Sequence, residues 1–426
     1  MVPPMSGTAR ACGVDFGTSN STVAWWGESG PALLPLEGER VLLPSVVFFN
    51  YDEECVRVGQ AALVDYLTGY EGRLMRSLKS LLGSSLIDGQ TEVHGRIVAF
   101  RVLLAKFIEE LRRRAQSAAG RSFDHAVLGR PVRFVDDDDA ADREAQATLE
   151  AIARAAGFRE LSFELEPIAA AYHHEQSLTT ETLVMVADIG GGTSDFSLLK
   201  LGPKLAQRDD RKDDVLGCAG VHIGGTDFDR QLSLAEVMPC FGLGSRLKSG
   251  REMPSPLFFD LATWHTINRA YTRQTAAALK DLAPDIADTR AFARLQRLIE
   301  RRDGHRLALD VEAAKIALSN EPSHPFSLDR FEPGLICPLS RTAFDAATSS
   351  LVERVGAAVD ILLRHAQVAP ERVQSIYLTG GGSSMPALRA CIQAHLPAAR
   401  LTTGDTFGSI GTGLGVAAAR RYGMIP

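Results

Sequence analysis

Two distant parts of the chain carry the same pattern of apolar positions around a turn. Apolar runs at residues 11–14 and 22–26 flank the first turn, and similar runs at 183–187 and 196–201 flank the second. Short apolar runs on either side of a glycine-containing turn are typical of β-hairpins. The pattern therefore predicts two hairpins at equivalent places in two related halves.

The two turns also resemble each other in sequence. The first reads DFGTS from Asp15, and the second reads DIGGGTSD from Asp188. A single glycine-rich hairpin is explained by turn geometry alone, whereas two copies at matching positions favour a shared function.

Outside the hairpins, the periodicity predicts strands that alternate with helices. Strand-like runs at 125–128 and 161–165 alternate with helical patterns at 139–156 and 167–176, which indicates an α/β fold. Residues 256–320 are helical in pattern without a strand signal, so we expect an inserted helical subdomain. The elements expected after it are a helix at 341–367, a strand at 375–379, and helices at 384–394 and 407–421.

The second turn has the composition of a phosphate site. Gly190, Gly191 and Gly192 have no Cβ, so their backbone N–H groups can approach anionic oxygens closely. Asp188 and Asp195 flank these glycines and form a carboxylate pair suited to hydrated Mg²⁺ and to an attacking water.

The first turn offers the same chemistry with fewer glycines. Asp15 precedes Gly17, and Thr18 and Ser19 add hydroxyl groups, as Thr193 does in the second turn. If the two hairpins face each other, they could hold one triphosphate, with Asp15 and Asp188 directed at the same ion through its waters.

Two further glycine turns are weaker candidates. Gly380, Gly381 and Gly382 lie between a predicted strand and a helix, where bare backbone could support a flat ring or a sugar. Gly224 and Gly225 precede another helix and could equally form its N-terminal cap.

Composition and charge narrow the function further. The 426 residues carry 46 basic and 52 acidic side chains, a net charge of −6, which argues against duplex nucleic acid as a partner.

Neither a signal peptide nor a long apolar segment is evident, so we expect a cytoplasmic protein that does not enter a membrane. Six scattered cysteines predict reduced thiols rather than a metal cage or a disulfide framework.

Other charged or polar clusters have structural explanations. The acidic run at 136–139 precedes a predicted helix and favours a cap over a metal site, and the arginines at 112–114 suggest the solvated end of a helix. No Gly-Lys dipeptide is present, which excludes a Walker-type phosphate loop. His173 and His174 lack ligand partners at a recognisable spacing, so we interpret them as core or surface residues.

These motifs resemble the actin-like ATPase superfamily and, within it, the DnaK-type seventy-kilodalton heat-shock proteins. GVDFGTSNS at 13–21 and VADIGGGTSDF at 186–196 resemble the two phosphate loops of that family. Other motifs of the family are matched, in order along the chain, by residues 43–45 with 58–62, 77–83, 165–172, 312–319 and 380–386.

The resemblance implies a role for each matching residue. Thr18 and Thr193 would contact phosphate, and Lys79 would neutralise charge on the γ-phosphoryl group and position water. Lys79 could otherwise be a solvated helix lysine. The carboxylates that would arrange Mg²⁺, its waters and the nucleophile are Asp15, Glu166, Asp188 and Asp195. The remaining nucleotide contacts would be Gly17, Ser19, Gly190 to Gly192, Gly224, Gly225, Glu312, Lys315, Ser319, Gly380 to Gly382 and Asp405.

The chain also departs from the family pattern. Ile316 and Ser384 stand where these chaperones have arginines beside the adenine, so adenine affinity is expected to be weaker or base preference different. Pro426 follows the final helix closely, so we expect no peptide-binding domain, as in the YegD-type proteins.

The implied fold is the two-lobed actin-like ATPase fold, made of duplicated ribonuclease H-like units. Lobe I would comprise 1–187 and 401–426, and lobe II 188–400 with the helical insertion at about 256–320. The expected function is Mg²⁺-dependent binding and slow hydrolysis of ATP, in which the lobes open and close on an unknown protein partner or client. We expect a monomer.

Three alternatives stay open from the sequence. A small-molecule kinase shares the fold and the phosphate turns, and a nucleotide-dependent scaffold or filament protein does so as well. A nucleotide-sensing module with almost no turnover is the third.

Overall fold

Both predicted hairpins are present, and each lies at the centre of its own β-sheet. The computed structural model describes residues 10–93, 95–135, 138–208, 211–404 and 408–424. Its strands are β1 (Ala11–Phe16), β2 (Asn20–Gly27), β3 (Gly30–Leu33), β4 (Leu43–Pro44), β5 (Val46–Asn50), β6 (Cys55–Val58), β7 (Gly72–Arg76), β8 (Gln90–Val93), β9 (Arg96–Ala99), β10 (His125–Arg130), β11 (Glu160–Leu165), β12 (Thr182–Ile189), β13 (Ser194–Leu201), β14 (Val215–Val221), β15 (Ser323–Ser327), β16 (Ile336–Ser340), β17 (Ser375–Thr379) and β18 (Arg400–Thr403).

The two large sheets share one strand order. The first is ordered β11-β10-β1-β2-β3, with β4 also paired to β2, and the second is ordered β18-β17-β12-β13-β14. In each sheet the hairpin strands are antiparallel, and the next two strands continue parallel to the first hairpin strand. The expectation of an α/β fold with two related halves is confirmed.

Helices follow the predicted periodicity in most places. They are α1 (Gln60–Thr68), α2 (Phe100–Ala119), α3 (Asp139–Ala155), α4 (Glu166–Ala170), α5 (Tyr172–Gln176), α6 (Gly225–Leu232), α7 (Pro256–Leu261), α8 (Arg273–Leu282), α9 (Thr289–Glu300), α10 (Gly304–Asn320), α11 (Arg341–His365), α12 (Pro386–His395) and α13 (Ser409–Arg421). The region 256–320 contains α7 to α10 and no strand, as expected.

Two local predictions need correction. The helix expected at 167–176 is divided into α4 and α5 at Ala171, whose ψ of −4° departs from α-helical geometry. The arginines at 112–114 do not form a solvated helix end. Arg112 donates to the carbonyl of Phe123 at 2.6 Å and Arg114 to that of Leu36 at 3.2 Å, so both hold neighbouring loops against α2.

The acidic run before α3 has the predicted capping role at Asp138. Its carboxylate accepts hydrogen bonds from the backbone N–H groups of Ala140 and Ala141, at 3.0 and 2.9 Å. Asp136 and Asp137 lie outside the described residues.

The core of the first sheet is apolar on both faces. Every residue of β1 is buried, and Phe16 packs against Phe107 of α2 with ring centroids 5.6 Å apart. Helix α13 covers the opposite face at very close range, because a Cβ on Gly13 would lie 2.2 Å from the backbone of Leu414. Glycine at this position therefore sets the distance between β1 and α13.

The chain divides into two compact units. The first contains residues up to Gly220, Ala358–Ser383 and the segment from His395, and the second contains Val221–Ala357 and Ser384–Ala394. Both large hairpins thus belong to the first unit. This grouping differs from the expected lobes 1–187 with 401–426 and 188–400, so those boundaries stay a prediction.

No helix within the described ranges is long and apolar enough to cross a bilayer. All six cysteines are free, with Cys12 and Cys337 buried and the others partly buried.

Candidate functional site

The two hairpin turns meet within the first unit. A Cβ on Gly191 would lie 2.1 Å from the Oγ of Ser19, so the two turns are in contact and a larger residue there would force the Ser19 side chain to shift. Each turn spans four residues between paired strand ends, at 17–20 and 190–193. The structure thus brings together the two repeated motifs, one from each sheet.

Ser45, which lies between β4 and β5, stabilises the first turn. The buried Ser45 donates its hydroxyl to the carbonyl of Gly17 at 2.7 Å, and its backbone N–H donates to the carbonyl of Ser19 at 2.9 Å. Its hydroxyl also lies 2.9 Å from that of Ser21. The sequence drew attention to Ser45 only as part of a family motif, because its contacts join segments distant in the chain.

The second turn is held mainly by its own backbone. Gly190 N–H donates to the carbonyl of Thr193 at 2.9 Å, and the Thr193 hydroxyl donates to the carboxylate of Asp195 at 2.7 Å. A Cβ on Gly192 would meet nothing within 4 Å. The turn therefore presents uncovered backbone on the side of Gly192.

A cluster of charged side chains lies beside the turns. Lys79 Nζ is 2.5 Å from Glu166 Oε1, and each side chain is only 12% exposed. Lys79 belongs to a 3-10 turn (Leu78–Leu81) that the buried Leu78 anchors, and Glu166 is the first residue of α4. Gly129 of β10 leaves room for Glu166, since a Cβ there would lie 3.2 Å from Glu166 Cγ. The sequence analysis did not identify Gly129, since an isolated strand glycine carries no signal of what approaches it.

Burial and mutual repulsion perturb the carboxylates. Burial, together with the charge of Glu166, raises the pKa of Asp15 to about 7, although Lys79 opposes the shift. Burial, followed by the charges of Asp195, Glu166 and Asp15, raises the pKa of Asp188 to about 8.

The pKa of Lys79 is also raised, but for an amine this change favours the charged form. Burial works against its charged form, but the charges of Glu166, Asp15 and Asp188 outweigh burial and raise the pKa of Lys79. Three carboxylates thus act on one ammonium group, an excess of negative charge that favours a bound cation.

The third glycine turn packs on the second hairpin. Gly380 has φ = +79°, and a Cβ there would lie 2.5 Å from Asp188 Oδ1 and 2.4 Å from the carbonyl oxygen of Ile189. A Cβ on Gly382 would lie 2.4 Å from the Ile189 side chain. The Ser383 hydroxyl closes the turn by donating to the carbonyl of Gly380 at 2.7 Å. Gly381 begins the short 3-10 turn that follows (Gly381–Ser384).

The fourth turn is a helix cap within the second unit. Gly224 N–H donates to the Asp227 carboxylate at 2.9 Å, so the N-cap interpretation is confirmed at the start of α6. Lys315 of α10 is buried, pairs with Asp229 at 2.7 Å and donates to the carbonyl of Gly225 at 3.0 Å. Lys315 therefore fastens α10 to α6.

The other predicted residues of the second unit lie along α10. Glu312 is partly buried, and the Ser319 hydroxyl donates to the carbonyl of Lys315 at 3.3 Å. Ile316 is 54% exposed. Asp405 lies outside the described residues, so its predicted nucleotide contact is not located.

The carboxylates beside the two turns are suited to a metal ion that they contact through its bound waters. Among the described residues, no group of three or more His, Cys, Asp or Glu side chains could hold a metal ion directly. Mg²⁺ keeps several of its waters in protein sites, and its other ligands are commonly one or two carboxylates and substrate phosphates. The excess negative charge and oxygen donors beside the two turns fit this mode of binding.

Comparison with known proteins connects this geometry to a family. A sequence model described as Hsp70 protein matches residues 88–237 and 290–405, more than half of the chain. The chain is 29% identical over 419 residues to the "Chaperone protein HscA homolog" of Burkholderia cenocepacia and 28% identical over 413 residues to that of Chromobacterium violaceum. Each alignment covers 93% of this chain and 56% of the relative, so the chain spans about half the length of these chaperones. With a family match over most of its length and duplicated sheets whose turns converge, the chain belongs to the Hsp70 family.

Proposed function

We propose that this protein binds ATP with Mg²⁺ and hydrolyses it slowly, using the two hairpin turns as a clamp for the polyphosphate. The observation that carries the proposal is the contact between Ser19 and Gly191, because it places two glycine-containing turns of opposite sheets against each other. The turns carry backbone N–H groups and hydroxyls, the types of donor that phosphate oxygens accept from.

The charge balance of the cluster supports a magnesium complex. Asp15 and Asp188 have pKa values of about 7 and 8 in the protein alone, so their charges are poorly compensated. Mg²⁺ would supply a positive charge that neutralises these carboxylates and the phosphate oxygens. Asp15 and Asp188 would hold it mainly through its waters.

Lys79 and Glu166 have complementary tasks in this proposal. The ammonium group of Lys79 stabilises negative charge on the oxygens of the transferred phosphoryl group. Glu166, 2.5 Å away, keeps Lys79 charged in a buried position and restricts its side chain.

Asp188 and Asp195 flank the second turn, where water would attack. A water oxygen bonds to the γ-phosphorus while the bond to the ADP oxygen breaks, and a carboxylate accepts the proton that the water releases. Thr193 orients Asp195 through their 2.7 Å hydrogen bond. Thr18 and Thr193 would also contact phosphate oxygens.

The nucleoside contacts belong to this proposal too. In the second unit, Glu312, Lys315 and Ser319 of α10 and the Gly224–Gly225 turn are candidates for contacts with the ribose or the base. In the first unit, the Gly380–Gly382 turn is a separate candidate for a nucleoside contact. Since Lys315 is already paired with Asp229, its larger contribution is to position the Gly225 backbone. The aliphatic Ile316 would contact the base by packing without a cation, which favours weak discrimination among purines.

Titration calorimetry with ATP, with and without Mg²⁺, tests the proposal directly. We expect binding that requires Mg²⁺, is weakened at least tenfold by Asp188→Asn, and is accompanied by slow release of inorganic phosphate. Lys106→Ala is a matched control, because Lys106 is an exposed residue of α2. Absence of Mg·ATP binding, or equal binding by the Asp188 variant, would contradict the proposal.

We also propose that the nucleotide state controls contact with a protein partner or client. Support comes from family membership and from the chaperone relatives, of which this chain covers about half. Phosphate release measured with and without a permanently unfolded polypeptide tests this part separately. Stimulation of turnover supports a client, and an unchanged rate contradicts it without affecting the ATPase proposal.

A further inference from the structure

Two cysteines that are distant in the chain lie together in the second unit. The Sγ atoms of Cys240 and Cys337 lie 3.9 and 3.4 Å from one atom, the carbonyl oxygen of Glu236. Because both thiols donate to this one oxygen, the two sulfur atoms are close neighbours. This contact joins two thiols outside the proposed nucleotide site.

The fold gives the two thiols different exposure. Cys240 is partly buried in a 3-10 turn (Met238–Phe241) that continues the helical run started by α6. Cys337 is the second residue of β16 and faces the core, where it is only 8% exposed. Cys240 is therefore the more accessible of the two thiols.

The charged groups around the pair favour a thiolate on Cys240. The neighbouring Cys337 thiol lowers the pKa of Cys240 to about 7, with help from Arg294 of α9 and against burial and Glu236. Arg294 donates to the carbonyl of Cys240 at 2.6 Å and pairs with Glu332 at 2.5 Å. The neighbouring Cys240, followed by burial, raises the pKa of Cys337, which stays a thiol.

We propose that Cys240 and Cys337 are a peroxide-reactive dithiol. Cys240 is the sulfur that reacts with peroxide, and Cys337 then converts the oxidised Cys240 to a disulfide. The Cys240 thiolate attacks one oxygen of hydrogen peroxide, the O–O bond breaks, and a sulfenic acid forms as hydroxide leaves and takes up a proton. The Cys337 sulfur then attacks the sulfenic sulfur, the S–O bond breaks, and a second water leaves. Two thiols are oxidised by two electrons, and one peroxide is reduced to two waters.

A low-pKa, accessible thiol beside a resolving thiol is the arrangement found in redox-sensing proteins. Cys12 provides the contrast within this chain, because burial raises the pKa of its thiol and it is 1% exposed. The disulfide would connect the helical run from α6 to the hairpin of β15 and β16, so it would restrict motion inside the second unit.

Peroxide treatment of the full chain, followed by thiol labelling and peptide mapping, tests the proposal. The expected result is loss of two of the six thiols, a cross-linked peptide pair containing residues 240 and 337, and full reversal by dithiothreitol. The oxidised protein should also melt a few degrees higher than the reduced protein. Cys391→Ser is a control from the same unit and should form the same disulfide.

Two variants separate the roles of the sulfurs. Cys337→Ser should leave a sulfenic acid on Cys240 that dimedone traps, and Cys240→Ser should slow oxidation of Cys337 at least tenfold. Cys337→Ala repeats the first experiment in case a buried hydroxyl disturbs folding. A disulfide between other cysteines in the natural chain, or oxidation of Cys240 to a sulfinic acid without linkage to Cys337, would overturn the proposal.

Discussion

The hairpin turns at 17–20 and 190–193 occupy equivalent places in sheets of the same strand order, yet they are stabilised differently. Ser45 holds the first turn through hydrogen bonds to Gly17 and Ser19, whereas the second turn is closed by its own Gly190 and Thr193. The first turn has one glycine and external support, and the second has three glycines with open space at Gly192. The two hairpins thus share a strand order but differ in their turns. The first turn is fixed by hydrogen bonds from Ser45, and the second leaves backbone accessible at Gly192.

The charged groups show the same asymmetry. Lys79 lowers the pKa of both Asp15 and Asp188, whereas the charge of Glu166 raises both. Asp188 also has Asp195 nearby, and the charge of Asp195 raises the pKa of Asp188 further. The second half therefore has the stronger need for a cation.

Removing Lys79 should have the largest effect on activity. Lys79→Ala leaves the partly buried Glu166 without its partner, so we expect ATP hydrolysis to fall about 10²- to 10³-fold and the free energy of unfolding by about 3 kcal/mol. Phosphate release and chemical denaturation measure the two effects.

A paired variant separates charge from packing. Lys79→Met with Glu166→Gln should recover most of the stability without restoring hydrolysis, because the buried charges are gone but so is the phosphoryl-stabilising cation. Equal hydrolysis by Lys79→Ala and the natural protein would show that Lys79 has only a structural task.

Alanine substitutions at two neighbouring glycines should distinguish Gly191, which contacts the first turn, from Gly192, which faces open space. Gly191→Ala would push the Ser19 side chain out of its position, and we expect a loss of about 1 kcal/mol in stability that Ser19→Ala partly restores. Gly192→Ala should leave the melting temperature within about 1 °C, because its Cβ meets nothing within 4 Å.

Gly192→Ala, which we expect to leave stability unchanged, should nevertheless weaken nucleotide binding. Gly192→Ala places a methyl group where we propose that the polyphosphate lies, so its affinity for Mg·ATP should fall at least tenfold despite its stable fold. Unchanged affinity, measured by calorimetry, would move the polyphosphate away from the second turn.

The unusual carboxylates make stability depend on pH. An aspartate in an unfolded chain titrates near pH 4, whereas Asp15 and Asp188 titrate near 7 and 8 in the folded protein. Between about pH 4 and 8 these two groups bind more protons in the folded state, so their contribution to stability falls as pH rises. Thermal unfolding without nucleotide or divalent cation, followed across this range, measures the slope.

Asp188→Asn should reduce that slope. We expect the variant to be more stable than the natural protein by roughly 2 kcal/mol near pH 8, with little difference near pH 4. Asp281→Asn is the control, because Asp281 is exposed at the end of α8. A slope that Asp188→Asn leaves unchanged would contradict the assigned pKa shift.

The smallest expected effect concerns the support of the first turn. Ser45→Ala removes the hydroxyl bonds to Gly17 and Ser21, and should lower stability by about 1–2 kcal/mol. Thr193→Ala should cost less than about 0.5 kcal/mol, since it removes a hydroxyl that donates to the exposed Asp195 and leaves the Thr193 backbone in place. Denaturant midpoints measure the loss of stability in each variant. Equal losses would contradict the conclusion that the two turns are stabilised differently.

Much of the fold was predictable because its signals are local. The hairpins, the helical region 256–320 and the cap at Asp138 each depend on neighbouring residues whose pattern is visible in the sequence. The division of α4 from α5 was not visible, because one residue with a different ψ leaves the apolar pattern unchanged.

The candidate site was predictable only in part. The repeated turns identified Asp15 and Asp188, and the family resemblance added Lys79 and Glu166. Neither revealed Gly129, the support from Ser45 or the pairing of Cys240 with Cys337. Those contacts join residues far apart in the chain, and a single sequence carries no record of such distances.

The sequence by itself determined the elements and the chemical groups available at each turn, because short-range periodicity and residue type depend only on neighbours along the chain. The tertiary structure decided which groups share a site and how strongly they interact. Burial and electrostatic energy depend on distances across the folded molecule, so the perturbed pKa values of Asp15, Asp188 and Cys240 arise only when the chain is folded.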